Sequence, residues 1–319
     1  MRRRDFIKGS AILGMSIAAH RLVGASGMYH ENTSRKVYRI LKADGVNVGT
    51  LPVMRAFAGG HTDYVSPYVL FDEFGPVNII AGQDALKVDA HPHAGVTPTT
   101  YFLEGAGHHK DSLNYDFQIG KGDFMMFSSG RGAIHMEESG QVLKEKGGII
   151  HGFQIWLNTP SKYKFDAPTT SVFNQKNMTS YSEKGVHVNV VLGSMHGMCS
   201  SIETLSPAFY YHVKMEANSR FDIPVDPTHN AFIYLTSGAL ELADAKALNE
   251  EQVALYERGG DTINLYAKEK AEFLVLGGQP LDEVVFSYGP FVMNNREQIN
   301  KCIRDYQEGR MGDPEVVNR

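Results

Sequence analysis

Residues 120–137 read Gly120-Lys-Gly-Asp-Phe-Met-Met-Phe-Ser-Ser-Gly-Arg-Gly-Ala-Ile-His-Met-Glu137. Gly120-Lys-Gly-Asp123 and Ser129-Gly-Arg-Gly132 are turn chemistry, where glycine supplies a positive φ that other residues resist. Between them Asp123 to Ser128 is an apolar run of strand length. Beyond the second turn His135 and Glu137 stand two apart, so on a strand both point to one face. Upstream, His91-Pro-His93 repeats that spacing.

The same alternation of short apolar runs and turns extends both ways. Strands are expected at Val53 to Phe57, Tyr68 to Phe74, Thr99 to Leu103, Gly152 to Leu157 and Val186 to Leu192. A second series is expected at Ala208 to Met215, Ala231 to Leu235, Leu240 to Ala243, Asp261 to Leu265 and Glu272 to Leu276. Many short strands at this spacing argue for sandwiches or barrels and against a parallel sheet with crossover helices. Pro160 to Asn177 has few periodic apolar positions and reads as the connection between two halves. Near the end, Ile299, Cys302, Ile303 and Tyr306 recur at helical spacing, which predicts a closing helix over 294–309.

The halves resemble each other. Tyr101-Phe-Leu-Glu-Gly105 matches Tyr234-Leu-Thr-Ser-Gly238, and Gly122-Asp123 matches Gly260-Asp261. Carried across on these anchors, His91, His93, His135 and Glu137 fall on Pro224, Asp226, Phe273 and Val275. That set does not suit a metal, so a metal-free second half is expected.

At 319 residues and 42% hydrophobic the chain can build two ordinary domains, or one large one, with a real core. Its formal net charge is −5 with no long basic stretch, which argues against nucleic acid as a partner. Cys199 and Cys302 lie far apart and read as ordinary thiols. The first 25 residues read as an address. Arg3-Arg-Asp-Phe-Ile-Lys8 lies on the twin-arginine export pattern, a short apolar run follows, and Val23-Gly-Ala25 is a small-residue cleavage site. Removing residues 1–25 takes away five positive charges and one negative, moving the net charge from −5 to −9. The expected location is the periplasm, or the cytoplasm if the signal is not used. No other segment approaches transmembrane length, so no membrane association is expected after removal of the signal.

If the strands carrying His91-Pro-His93 and His135-Met-Glu137 lie side by side, three imidazoles and a carboxylate converge. Such a set suits Fe(II), Mn(II), Ni(II), Cu(II) or Zn(II), and in an octahedral ion leaves two positions for water, dioxygen or substrate. His108, His109 and Asp111 read as a solvated hairpin turn, and Trp156 as a core residue. His151 either starts a strand or approaches the metal. Arg131 serves the turn or supports His135, and His187, His196 and His212 lack partners at metal spacing.

His91-Pro-His-Ala-Gly95, Thr100-Tyr-Phe-Leu-Glu-Gly105, His109-Lys-Asp-Ser112, Gly120-Lys-Gly-Asp123 and Gly130-Arg-Gly-Ala-Ile-His135-Met-Glu137 together resemble the pirin pattern, in order. Gly152-Phe-Gln-Ile-Trp-Leu-Asn158, His229-Asn-Ala-Phe-Ile-Tyr234, Gly277-Gly-Gln-Pro-Leu281 and Tyr288-Gly-Pro-Phe-Val-Met-Asn294 continue it. The resemblance implies an all-β protein of two tandem cupin (jelly-roll) barrels with a short C-terminal helix. The expected division is a signal at 1–25, a metal-holding cupin domain at 26–160, a connection at 161–177 and a cupin domain without metal at 178–319. It also implies one metal per chain, usually iron, held by His91, His93, His135 and Glu137, and a monomer. Ala94 and Gly95-Val-Thr-Pro98 depart from the Arg and Gly-Phe-Glu-Thr that the family commonly shows there, and Thr97 stands where many cupins place a glutamate.

Two functions follow from the resemblance. One is an iron-dependent dioxygenase of the quercetin 2,3-dioxygenase type, opening a small flavonol- or catechol-like aromatic, with Glu137 both ligand and base. The other is a non-enzymatic, metal- or redox-responsive interaction protein.

Overall fold

Two antiparallel sandwiches account for nearly all the strands in the computed structural model, which describes residues 33–49, 51–58, 64–83 and 86–318. The expected export signal lies outside the described residues. In the first sandwich a seven-stranded sheet runs, in spatial order, Thr169–Phe173, Phe124–Ser128, Val96–Glu104, Gly148–Asn158, Tyr68–Ile79, Leu51–Ala58 and Asp44–Val48. It faces a four-stranded sheet of Lys87–His93, Ala133–Ser139, Ala106–Asp111 and Asp116–Gly120. The second sandwich repeats the plan. Seven strands run Val37–Lys42, Gln252–Tyr256, Asn230–Ser237, Ala271–Gly278, Ala208–Met215, Val186–Leu192 and Thr179–Glu183. Four more run Ser219–Pro224, Thr262–Ala267, Ala239–Glu241 and Ala247–Asn249. This is the all-β, two-cupin architecture expected from the sequence. Among the described residues no helix is long and apolar enough to cross a membrane.

The repeat is visible in hydrogen-bond register. Gly105 and Gly238 turn the same hairpin with φ of 80° and 84°. A Cβ at Gly105 would sit 2.4 Å from the carbonyl oxygen of Ile149, and one at Gly238 would sit 2.0 Å from that of Lys270. Glycine is therefore required twice, for conformation and for room. The second anchor shifts. Asp123 precedes Phe124–Ser128, whose counterpart, beside the Tyr234 strand, is Gln252–Tyr256. Asp261 instead precedes Thr262–Ala267, the counterpart of Ala133–Ser139. The Gly-Asp dipeptide thus marks two different turns.

The chain ends cross over. Val37–Lys42 pairs with Gln252–Tyr256 of the second sandwich. Just before it, buried Arg35 donates to the carbonyl oxygens of Gly260, His229 and Asp226. Conversely, the hairpin Phe286–Tyr288 and Phe291–Met293, the helix Arg296–Gln307 and the turn of helix Pro314–Val317 pack on the first sandwich. Phe291, Met293, Ile299, Cys302, Met311 and Val317 form one apolar cluster with Ala94, Ile134 and Met136. The helix starts at Asn295, whose side chain caps the backbone N–H of Gln298. Within the expected connection at 161–177, Thr169–Phe173 is a strand on the edge of the first large sheet. Division by sequence position therefore does not follow the sandwiches at either end or at the join.

Candidate metal centre

The strand Lys87–His93 lies beside Ala133–Ser139, with His91 opposite His135. Directly opposed residues share a face, as do residues two apart, so His91, His93 and His135 project together. The Nε2 atom of His91 is 3.1 Å from Nε2 of His93 and 3.1 Å from Nε2 of His135. The Nδ1–H of His91 donates to the carbonyl oxygen of Asp89 at 2.9 Å, and that of His93 to the carbonyl oxygen of Pro290 at 3.2 Å. A carbonyl can only accept, so Nδ1 carries the proton in each ring, and the tautomer that binds a cation turns its Nε2 lone pair inward. Burial first, then neighbouring imidazoles, push the pKa of His93 and of His135 well below the ordinary histidine value. The rings stay neutral, the form that binds a cation.

Facing lone pairs repel unless a cation lies between them. Nitrogens on adjacent vertices of an octahedron, at about 2.1 Å from an ion, are about 3.0 Å apart, against about 3.4 Å on a tetrahedron. Two of the three edges measure 3.1 Å, close enough for the nitrogens to share one ion. The donor set therefore fits a divalent metal ion.

Glu137 enters from the side. The register shifts between His135 and Glu137 against the His91 strand, while Glu137 lies opposite His109 on the next strand. The candidate ligands accordingly form two overlapping groups that share His135. One is His91, His93 and His135; the other is His109, His135 and Glu137, with donor atoms within 4.8 Å of one another. Both oxygens of Glu137 are held from the facing sheet. Thr100 Oγ1 donates to Oε1 at 3.1 Å, and Gln154 Nε2 donates to Oε2 at 2.8 Å.

The expectation for His109 and Asp111 is corrected. They lie on the inner strand Ala106–Asp111, not in a solvated turn, and both are buried. The His109 ring stacks on Phe117 and lies 5.3 Å, centre to centre, from His135. Its Nε2 meets Asp111 Oδ2 at 3.1 Å. Burial pushes the Asp111 carboxyl up, but hydrogen bonds from His109, Thr170 and the Tyr115 backbone outweigh it and hold the group ionised below its usual value.

A cavity of about 350 Å³ opens over the imidazoles, lined among others by Arg55, Asp72, His91, His93, Glu137, Gln154 and Trp156. Trp156, expected in the core, forms part of this wall, its ring edge-on to His93 with centres 4.8 Å apart. Arg55 grips Asp72 through two bonds of 2.8 and 2.6 Å. Ser287, Pro290 and Val292 close one side. Buried Lys164 pins that hairpin, its Nζ donating to the carbonyl oxygens of Gly95 and Val292 and to Asn158 Oδ1. Arg131 is exposed in its turn, Thr97 bonds Ser128, and His151 turns instead to Glu73. Thr100, Gln154 and Arg55 escape the sequence because alternation names a face but not what opposes it.

In the second sandwich Ile263 lies opposite Ile223 as His135 lies opposite His91. The Val225 N–H bonds the Asp261 carbonyl where His93 pairs with Ala133. The counterparts of His91, His93, His135 and Glu137 are therefore Ile223, Val225, Ile263 and Leu265. This replaces the assignment to Pro224, Asp226, Phe273 and Val275. All four counterparts are buried in one apolar core.

The pirin family model matches residues 50–157, and that of the pirin C-terminal cupin domain matches residues 210–312. Pirin of Rattus norvegicus is 30% identical over 265 residues, spanning 82% of this chain and 87% of its own length. The crystal structure of quercetin 2,3-dioxygenase from Acinetobacter baumannii is 29% identical, with a TM-score of 0.85 over 88% of this chain and 99% of that one. The bacterial pirin YhhW of Escherichia coli, solved in complex with nickel(II), shares the fold at 19% identity and a TM-score of 0.59, over 76% of this chain and 99% of its own. With both barrels matched in order, and a histidine cluster in the first, the chain belongs to the pirin family of bicupins.

Proposed function

We propose that the chain is an iron-dependent dioxygenase acting on flavonol- or catechol-like phenols, with one Fe(II) held by His91, His93, His135 and Glu137. The observation that carries this reading is the convergence of the His91, His93 and His135 imidazoles beside a cavity that His91, His93 and Glu137 line. The similarity to a protein named quercetin 2,3-dioxygenase supports it. When bound, the ion supplies the one-electron chemistry that dioxygen requires and an electrophilic centre for a phenol oxygen. The other tasks fall to the chain. Val69, Leu70, Trp156 and Val292 form a wall that receives the flat ring and excludes water. Glu137 takes the proton of the substrate hydroxyl on a carboxylate oxygen, and Thr100 and Gln154 hold that carboxylate in place. The export-type pattern of residues 1–25 supports a periplasmic location for this activity, which fractionation of the host would check.

The test is anaerobic loading with Fe(II), metal analysis, and oxygen uptake with quercetin and a panel of flavonols and catechols. Uptake that depends on both metal and phenol is expected. A metal-loaded protein that consumes no oxygen with any of them would overturn the dioxygenase reading in favour of the metal-responsive interaction protein.

A further inference from the structure

Away from the metal centre, one face of the second sandwich carries an unbroken chain of side-chain hydrogen bonds. Its members stand on the strands Thr179–Glu183, Val186–Leu192, Ala208–Met215 and Ala271–Gly278, with Tyr101 reaching in from the first. Ser182 lies opposite His187, and Asn189, two residues on, lies opposite His212, so all four project to one face.

The direction of every bond is fixed from the buried end. Burial pushes the Glu272 carboxyl up, but His212 and Lys214 outweigh it and hold the group at about 2, so it is ionised and can only accept. His212 Nε2–H therefore donates to Glu272 Oε1 at 2.8 Å, and burial keeps that ring neutral. Its Nδ1 is then an acceptor, and the Tyr101 hydroxyl donates to it at 3.0 Å. With that proton committed, the Tyr101 oxygen accepts from Asn189 Nδ2 at 3.2 Å. The amide is thereby oriented with Oδ1 toward His187 Nε2, 3.2 Å away, so Nε2 carries the ring proton. His187 Nδ1 keeps its lone pair, and Ser182 Oγ–H donates to it at 2.8 Å. An exposed serine–histidine contact by itself fixes neither tautomer nor role. Here a hydroxyl nucleophile, a base with its lone pair facing that hydroxyl, and a group that orients the base stand in sequence. Ser182 and His187 are both exposed, so a reagent reaches them from solvent.

We propose that Ser182 is an activated nucleophile that takes an acyl group from small, activated esters, with His187 as its general base and Asn189 as the residue that positions the base. The Ser182 oxygen forms a bond to the ester carbonyl carbon while its proton passes to His187 Nδ1. The ester C–O bond breaks, and its electron pair leaves on the alcohol oxygen. With p-nitrophenyl acetate the leaving group departs as p-nitrophenolate, and His187 then gives the proton to water. Asn189 Oδ1 accepts from Nε2–H throughout and holds the imidazolium that forms. The metal takes no part.

The experiment treats the full chain with p-nitrophenyl acetate at neutral pH and locates acetylated serines by peptide mass spectrometry. Hydroxylamine removes serine esters and leaves lysine amides, which separates the two kinds of adduct. Exposed Ser201, in the loop before Ala208–Met215, is the internal reference. Ser182 is expected to be acetylated about 100-fold faster than Ser201, the low end of what a positioned general base supplies. In His187→Gln, with folding checked by its melting temperature, at least about tenfold of that advantage is expected to be lost. Labelling of Ser182 no faster than that of Ser201 overturns the proposal. So does an undiminished advantage in folded His187→Gln. If the variant fails to fold, the comparison of the two serines within the wild-type protein still decides.

Discussion

Tyr101 and Tyr234 are counterparts in the two barrels, and each reaches out of its own barrel to an acid–base pair in the other. Tyr101 pairs with Phe153, which pairs in turn with Glu73; Tyr234 pairs with Leu274, which pairs with His212. The hydroxyl of Tyr101 is 3.0 Å from His212 Nδ1, and His212 Nε2 is 2.8 Å from Glu272 Oε1. The hydroxyl of Tyr234 donates to Glu73 Oε2 at 2.5 Å, and Glu73 Oε1 is 2.8 Å from His151 Nε2. The plan is shared, but the histidine and the glutamate have changed places. One tyrosine therefore meets an imidazole and its counterpart a carboxylate.

These two junctions differ in what they leave behind when cut. Tyr234→Phe strands a buried carboxylate oxygen and should cost about 1.5–3 kcal/mol, the range for a hydrogen bond to a charged group. Tyr101→Phe leaves His212 beside Asn189 and should cost about 1 kcal/mol. Urea unfolding of the two variants checks the order, and equal losses would contradict it.

Glu272 gives the junction a pH dependence. Burial pushes its carboxyl up, but His212 and Lys214 outweigh burial and hold it down at about 2. A carboxyl held below its unfolded value stabilises the fold at pH values above that unfolded value. The contribution fades as pH falls toward the folded one. Glu272→Gln should therefore lower stability at neutral pH, by roughly 1–3 kcal/mol, and flatten the acid limb between about pH 4.5 and 2. Thermal melts across that window, wild type against variant, are the measurement.

Glu137→Gln should abolish oxygen uptake, by about 100-fold or more, because an amide cannot take the substrate proton. Metal analysis must accompany the assay. Turnover at the wild-type rate with the ion retained would remove Glu137 from the proposed chemistry.

Lys164→Met should loosen the wall of the cavity. The change removes three hydrogen bonds from a buried amine, two of them to the backbone on either side of the hairpin contact. A loss of about 2–4 kcal/mol is expected, with phenol affinity falling while the imidazole ligands are untouched. Calorimetric unfolding and ligand titration separate the two effects.

Metal analysis should give one tightly bound equivalent per chain, and chelation should lower the melting temperature, since an ion that binds only the folded state stabilises it. Two equivalents would contradict the apolar reading of Ile223, Val225, Ile263 and Leu265.

How far the site was legible follows from what each signal depends on. His91-Pro-His93 and His135-Met-Glu137 need only strand periodicity, a local property, and their imidazoles do share a face. His109 also sits on a strand, but its place just after the Glu104-Gly105 turn gives it the look of a turn residue. Only its place between Phe117 and His135 shows it to be interior. The second anchor of the repeat misled because Gly-Asp serves any tight turn, whereas Gly105 and Gly238 are tied to a particular neighbouring strand. The contact of Pro290 with His93 spans 197 residues and leaves no periodic trace.

The crossed chain ends bear on how the protein is made. Synthesis delivers the imidazole strands early, but Pro290 and Val292, which wall the cavity, come after almost the whole second barrel. The second barrel in turn waits on nothing later than itself, because its edge strand Val37–Lys42 emerged before the first barrel began. A nascent or truncated chain ending before residue 287 would hold the histidines without a finished pocket. Completion of the site is thereby tied to completion of the polypeptide, and neither barrel can be cut out along the sequence and remain whole.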